Sequence, residues 1–288
     1  MDLTDGSFGK VQSEFPPMIR LLIGLLTTTL LLAQGPKILI VTDVEGVGGV
    51  NNAEEQLLPG QRRFEESRRL LTGEVNAAVE GALAAGASQV VIWDGHDGSR
   101  TLSIDQIHPK ALLLQGRPTP ADFYLKPKLY DGILFIGQHA MAGAPHAVLA
   151  HSQSFSIEQI TLNGKPVGEI GQVAAIAGFF EIPVIMLAGD QAACDELLAL
   201  QPKAETVAVK RLAGKASAFS LSHEEARSRI RQAARTAVTR VKTFAPYKVE
   251  GPVELKFVYK LDEKQPAGRT LAYRGANVLE AFRAWLGN

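Results

Sequence analysis

The chain has 288 residues, 46% of them hydrophobic and 21% charged, enough for one large globular core or a domain with a smaller partner. Its thirty basic residues balance thirty acidic ones with no basic run or aromatic-basic stripe, so nothing indicates a nucleic-acid partner. The lone Cys194 excludes an intramolecular disulfide and any cysteine-based zinc knuckle, and reads as a small buried hydrophobe.

Near the N-terminus, Met18-Ile19-Arg20 precedes an apolar stretch, Leu21 to Leu32, followed by the small residues Ala33 and Gly35. A positive residue, about a dozen apolar ones and a small-residue exit describe a secretory signal, too short for a comfortable transmembrane helix. Residues 1–35 therefore read as an N-terminal extension and signal peptide, with either Met1 or Met18 as the start. The mature chain is expected to begin between Gln34 and Lys37. Its expected location is periplasmic or secreted, with no stable membrane insertion after processing.

The run Lys37 to Thr42 (KILIVT) is short and rich in Ile and Val, as buried parallel strands are. A helix follows from about Arg62 to Ala85, with Leu70, Leu71, Val75, Val79, Ala82 and Leu83 on one face and Gly86 as its stop. Gln89 to Trp93 (QVVIW) and Gly132 to Gly137 (GILFIG) repeat the strand pattern, with a short apolar segment at Leu112 to Leu114 between them. Ser154 to Leu162 alternates and turns at Asn163-Gly164, a hairpin signal. Gly168 to Phe180 is a helix of small residues, and Ile182 to Ala188 is a strand ending in Gly189-Asp190. This βα alternation predicts an α/β fold for residues 36–201: three layers, α/β/α, around a mostly parallel sheet.

Past Pro202 the pattern changes. A short strand is expected at Thr206 to Lys210, and Ser222 with Glu225 makes a capping box for a helix reaching about Val241. Val253 to Tyr259 alternates like a half-exposed strand, and Asn277 with Glu280 caps a last helix through Trp285. Residues 202–288 thus read as a smaller α+β lobe.

Three of the apolar runs end in residues that bind metals: Asp43-Val44-Glu45-Gly46, Asp94-Gly95-His96 and Gln138-His139. In an open α/β sheet the crevice beyond the carboxyl ends of the strands is where ligands bind. Asp43, Glu45, His96 and His139 should therefore converge, with a neighbouring carboxylate orienting the His96 ring. Asp43 and Glu45 flank a single residue, so on an extended strand end their side chains point the same way. Glu169 opens the small-residue helix. Each of these residues alone suits a structural role equally well. Jointly they form the ligand set of zinc and similar divalent ions, and a bridging carboxylate suits a two-metal site. Asp190 and Lys210 are lesser candidates for supporting the site or touching a substrate. His108, His146 and His223 read as loop or helix-surface residues.

These segments resemble the D-aminopeptidase DppA family of zinc peptidases. Its opening, Ser-x-Asp-x-Glu-Gly, is matched by Val41-Thr42-Asp43-Val44-Glu45-Gly46 except at the serine. Asp94-Gly95-His96, Gly137-Gln138-His139-Ala140 and Pro166-Val167-Gly168-Glu169-Ile170-Gly171 resemble its later ligand segments, and His151-Ser152 stands where the family has its catalytic histidine. The similarity runs from about Lys37 to Lys210. It implies two zinc ions held by Asp43, Glu45, His96, His139 and Glu169, with Asp43 bridging and His151 catalytic as nucleophile or general base. It further implies removal of an N-terminal D-residue, such as D-Ala, from short peptides, and a ring-shaped homo-oligomer. Two other readings stay open: a metal-dependent amidase or esterase on the same scaffold, and an exported metal- or peptide-binding protein with no need of His151.

Overall fold

The structure, a computed structural model, describes residues 34–116, 125–215, 217–261 and 268–287. The apolar stretch of the expected signal peptide lies outside the described residues. Residues 35–288 form one compact unit. None of the described helices is long and apolar enough to cross a membrane.

The principal sheet has seven strands: β1 (Lys37–Thr42), β2 (Gln89–Trp93), β3 (Ala111–Leu114), β4 (Gly132–Gln138), β7 (Val184–Asp190), β8 (Glu205–Gly214) and β9 (Ser217–Ser220), in the order β3-β2-β1-β4-β7-β8-β9. All neighbours are parallel except β9, which returns antiparallel along β8. A second, antiparallel sheet of four strands has the order β11-β10-β5-β6. Its members are β5 (Ile157–Leu162), β6 (Lys165–Pro166), β10 (Val253–Tyr259) and β11 (Arg269–Gly275). Among the described residues the six α-helices are α1 (Ala53–Gln56), α2 (Phe64–Ala84), α3 (Glu169–Phe179), α4 (Gln191–Leu200), α5 (His223–Thr239) and α6 (Val278–Leu286).

Strand β1 shows why the principal sheet is covered on both faces. Ile38 and Ile40 pack into the core under α2 and α5, whereas Leu39 and Val41 pack into the opposite core with α3, α6 and the second sheet. Successive strand residues point to opposite faces, so a run that is apolar throughout needs a layer on each side. Helices α2 and α5 pack closely: a Cβ added at Gly81 would lie 2.3 Å from the Arg231 carbonyl.

The segment past residue 201 is not segregated as the smaller lobe read from sequence. Strands β8 and β9 complete the principal sheet and α5 covers it, while β10 and β11 pair with the β5–β6 hairpin. The edge of that hairpin needed a partner, and β10 supplies it through five aligned positions, Leu255 to Tyr259. Two further differences are local. Strand β5 begins at Ile157, because Gln153 takes a positive φ of 63° and residues 152–156 turn. Strand β8 runs on to Gly214 to pair with β9, a four-residue strand with little apolar pattern.

The strand order fixes where a ligand would sit. From β1 the chain steps outward to β2 and β3 on one side, then returns to β4, β7 and β8 on the other. The carboxyl ends of β1 and β4 flank the reversal point, where open α/β sheets leave a crevice.

Candidate metal centre

Asp43 follows β1 directly, with its N–H on the Ile136 carbonyl at 2.9 Å. Gly137 lies at a bulge in β4 with φ +81°, and a Cβ there would come within 2.0 Å of the Asp43 carbonyl. Any other residue would be strained at that φ and would push β4 away from Asp43. Gly46 is as confined, since its added Cβ would meet the Gln138 carbonyl at 1.9 Å. Backbone contact between these two strand ends is what brings Asp43 beside His139.

Two groups of ligand atoms result. In the first, His96 Nδ1 lies 2.9 Å from Asp43 Oδ1 and 3.2 Å from Glu45 Oε2. In the second, His139 Nε2 lies 3.2 Å from Asp43 Oδ2 and 3.4 Å from Glu169 Oε1, and His151 Nε2 lies 3.9 Å from the same Glu169 oxygen. Asp43 thus offers one oxygen to each group. All six residues named from the sequence come together, and only Glu169 is more than marginally exposed.

The outer nitrogens fix the tautomers. His96 Nε2 meets the Leu57 carbonyl at 2.8 Å, His139 Nδ1 the Ala140 carbonyl at 3.0 Å, and His151 Nδ1 the Leu149 carbonyl at 3.0 Å. A carbonyl only accepts, so each outer nitrogen carries the proton and each inner nitrogen of the neutral ring presents a lone pair. Those lone pairs face carboxylate oxygens. Two of the buried inner atoms, His139 Nε2 and Glu45 Oε2, make no hydrogen bond of acceptable geometry. A lone pair against a carboxylate is repulsive unless a cation lies between them, and a divalent ion in each group removes the conflict. The residues fit two ions.

Electrostatics without metal points the same way. Burial favours the neutral Asp43 carboxyl, but the adjacent His139 and His96 imidazoles outweigh it and hold the group far below the usual carboxylate range. Burial opposes charge on His96 too, yet Glu45 and Asp43 push its pKa up to about 12. His139 is raised against burial by Asp43 and Glu169, and Glu169 is lowered against burial by His139. The carboxylates form a strongly anionic hole that takes up protons where no metal is present.

The chain matches the D-aminopeptidase family from residue 37 to residue 284. It belongs to that family. It is 29% identical to the D-aminopeptidase of Bacillus subtilis strain 168 over 265 residues, 87% of this chain and 95% of the relative. Among solved structures it is similar to the zinc-dependent D-aminopeptidase DppA of Bacillus subtilis, described as a self-compartmentalizing protease. That likeness has a TM-score of 0.79 and 26% identity, covering 87% of this chain and 96% of the other.

As a D-aminopeptidase family member the chain has a site cavity of about 380 Å³, walled by Asp43, Glu45, His96, His151 and Glu169 with Asp97 and Phe155. A larger cavity of about 610 Å³, beside the 141–145 loop, holds none of the six residues. The chemistry therefore selects the smaller one. Phe155 stacks on His151 with centroids 4.2 Å apart, and His151 stacks in turn on His139 at 3.9 Å.

Among the supporting groups, the Leu57 carbonyl and Glu196 had no readable signal, because only the fold brings them near, whereas Asp190 was a candidate from the sequence. The Leu57 carbonyl, not a neighbouring carboxylate, orients His96. Asp94 instead accepts from the Thr101 and Leu102 N–H groups at 2.8 Å each and shapes the loop that presents His96. Glu196 accepts from the Met141 N–H at 2.8 Å just beyond His139, and burial pushes its carboxyl up to about 7. Asp190 caps α4 through Ala193 and also holds the Val148 N–H at 2.6 Å, which shapes the approach to His151. Cys194 is buried, as its composition context predicts, with its thiol pushed up to about 12 by burial.

Proposed function

We propose that this chain is an exported, zinc-dependent aminopeptidase that removes an N-terminal D-residue, such as D-Ala, from short peptides. The observation that carries the reading is the pair of ligand groups sharing Asp43, with three imidazoles whose outer nitrogens are engaged by backbone carbonyls. Asp43, Glu45 and His96 would hold one zinc ion, and Asp43, His139 and Glu169 the other. When bound, such ions supply Lewis acidity to a scissile carbonyl and bring the pKa of water toward about 7.

The chain's own residues account for the rest. Asp43, Glu45, Asp97 and Glu169 line the cavity together with His96 and His151, and among the described residues no Lys or Arg side chain does. That lining suits a substrate entering with a free α-ammonium group and repels a nearby C-terminal carboxylate. His151 Nε2, its tautomer set by the Leu149 carbonyl, is free to take or give a proton at the reacting centre or to attack the substrate. Phe155 and His139 hold the ring of His151 between them. Leu57, Leu58 and Phe155 add apolar surface to the cavity wall.

The D-preference rests on the family and its named relatives. A homo-oligomer is supported by the description of the solved relative as self-compartmentalizing. Export rests on Arg20 and the apolar stretch after it. The deciding experiment assays purified protein on paired D- and L-alanyl peptides, with and without a chelator. Chelator-sensitive release of D-Ala is expected. Equal or greater release of L-Ala, or full turnover of either peptide in chelator, would reject the proposal.

A further inference from the structure

The loop that carries Glu45 is gripped from below by two buried ionisable groups. Lys210, on β8 opposite Asp190 in β7, is 2% exposed, and its ammonium donates to the backbone carbonyls of Glu45 and Val50. Glu74, on α2, is 0% exposed, and its Oε1 accepts from the Gly48 N–H at 3.1 Å. Three backbone groups of a six-residue segment, residues 45–50, are thus tied to a lysine and a glutamate from different layers of the fold. At the rim, Ser220 on β9 accepts from the Gly49 N–H at 3.1 Å.

Such an arrangement is a poor source of stability. Taking an ammonium and a carboxyl group out of water is costly, and apolar replacements of similar volume are often neutral or stabilising. Glu74 Oε2 even remains buried without a hydrogen bond. What the pair supplies is direction. Donation from Lys210 to the Glu45 carbonyl fixes the rotation of the peptide that follows Glu45, and with it the direction of its Cα–Cβ bond. Glu74 fixes the same loop three residues on. The Glu45 carboxylate is thereby held 3.2 Å from His96 Nδ1. Outer groups of this kind set ligand orientation at metal sites, and their loss typically costs 10- to 100-fold in metal affinity.

We propose that Lys210 and Glu74 are positioning residues for the metal position built from Asp43, Glu45 and His96, and set its affinity through the backbone of residues 45–50. The inference rests on the two-metal reading above. It adds that one of the two positions depends on a clamp that touches neither substrate nor ion.

The test is a zinc titration of metal-free protein against a chromophoric chelator, on wild type, Lys210→Met and Glu74→Leu, with circular dichroism confirming the fold. Wild type should bind two ions. Lys210→Met should bind one as wild type does and the other about 10- to 100-fold more weakly, and excess zinc should restore kcat with KM for the peptide unchanged. Glu74→Leu, which leaves the ammonium in place, should show the same selective loss and decides the matter if Lys210→Met does not fold. Two ions bound at wild-type affinity by a folded variant would overturn the clamp, as would equal weakening of both ions. A wild-type protein that binds no zinc would instead reject the underlying metal reading, before any variant is compared.

Discussion

His139 and His151 stack face to face, with ring centroids 3.9 Å apart and planes inclined by only 14°. An imidazole lone pair lies in the plane of its ring, and a zinc ion sits about 2.0–2.1 Å from the nitrogen along it. Stacked rings direct their in-plane lone pairs along separate, nearly parallel lines, so His139 and His151 would be poorly disposed to hold one ion between them. His139 is the more deeply buried of the two, with Asp43 and Glu169 converging on its Nε2, whereas His151 lines the cavity. The geometry supports a division of labour: His139 as ligand, His151 as the group that meets the substrate.

His151→Ala should accordingly keep its metal and lose turnover. Loss of general acid–base function costs about 10²- to 10⁴-fold in rate, and loss of a covalent nucleophile costs more. Elemental analysis beside a peptide assay separates the two properties. Metal loss in this variant would make His151 a ligand.

His139→Ala should do the opposite and lower the metal content to about one ion, with turnover lost as well, because the second group keeps only carboxylates on that side. Full stoichiometry by elemental analysis would show that the group is misassigned.

Phe155→Ala should leave metal content unchanged and loosen His151. A stacked pair contributes about 0.5–1.5 kcal/mol, which corresponds to roughly a 2- to 12-fold fall in kcat if His151 acts only when held in place. A rise in KM alone would assign Phe155 to substrate packing.

Metal affinity should rise with pH. In metal-free protein His96, with its pKa pushed up to about 12, and His139, also raised, are both protonated at neutral pH, so each must release a proton when an ion binds. Up to two protons give up to about 100-fold in apparent affinity per pH unit. The sign reverses for the chelated fold: the His96 contribution to stability is full below its ordinary value of 6.5 and is lost as pH rises toward 12. Calorimetry in buffers of different ionisation enthalpy counts the protons. Binding that strengthens as pH falls would contradict both shifts.

Gly137→Ala tests the floor of the site. A Cβ at φ +81° and 2.0 Å from the Asp43 carbonyl should destabilise the fold by more than about 3 kcal/mol. Denaturant unfolding that matches wild type would mean that the two strand ends separate without cost.

Much of this was legible in the sequence because strand ends are legible. Runs such as KILIVT and GILFIG have the composition of buried parallel strands, and a parallel sheet delivers its carboxyl ends to one edge whatever the strand order. Asp43, Glu45, His96 and His139 could therefore be placed together from their positions alone, and the family resemblance added Glu169 and His151. The helix caps at Ser222 and Asn277 were equally readable, since a cap is a local matter of four residues.

The tertiary structure decided the rest, through contacts between residues far apart in the chain. Periodicity reports which face of a strand is buried, not which strand lies beside it, so the joining of β8 and β9 to the principal sheet had no local signature. Lys210 meets the Glu45 carbonyl across 165 residues, and the Leu57 carbonyl meets His96 across 39. The stacking of His139, His151 and Phe155 likewise exists only once the 140–155 loop has folded back. The sequence named the ligand atoms because they lie at the ends of elements it could recognise. Their tautomers, their spacing and the groups that aim them depend on packing, which residue order alone does not specify.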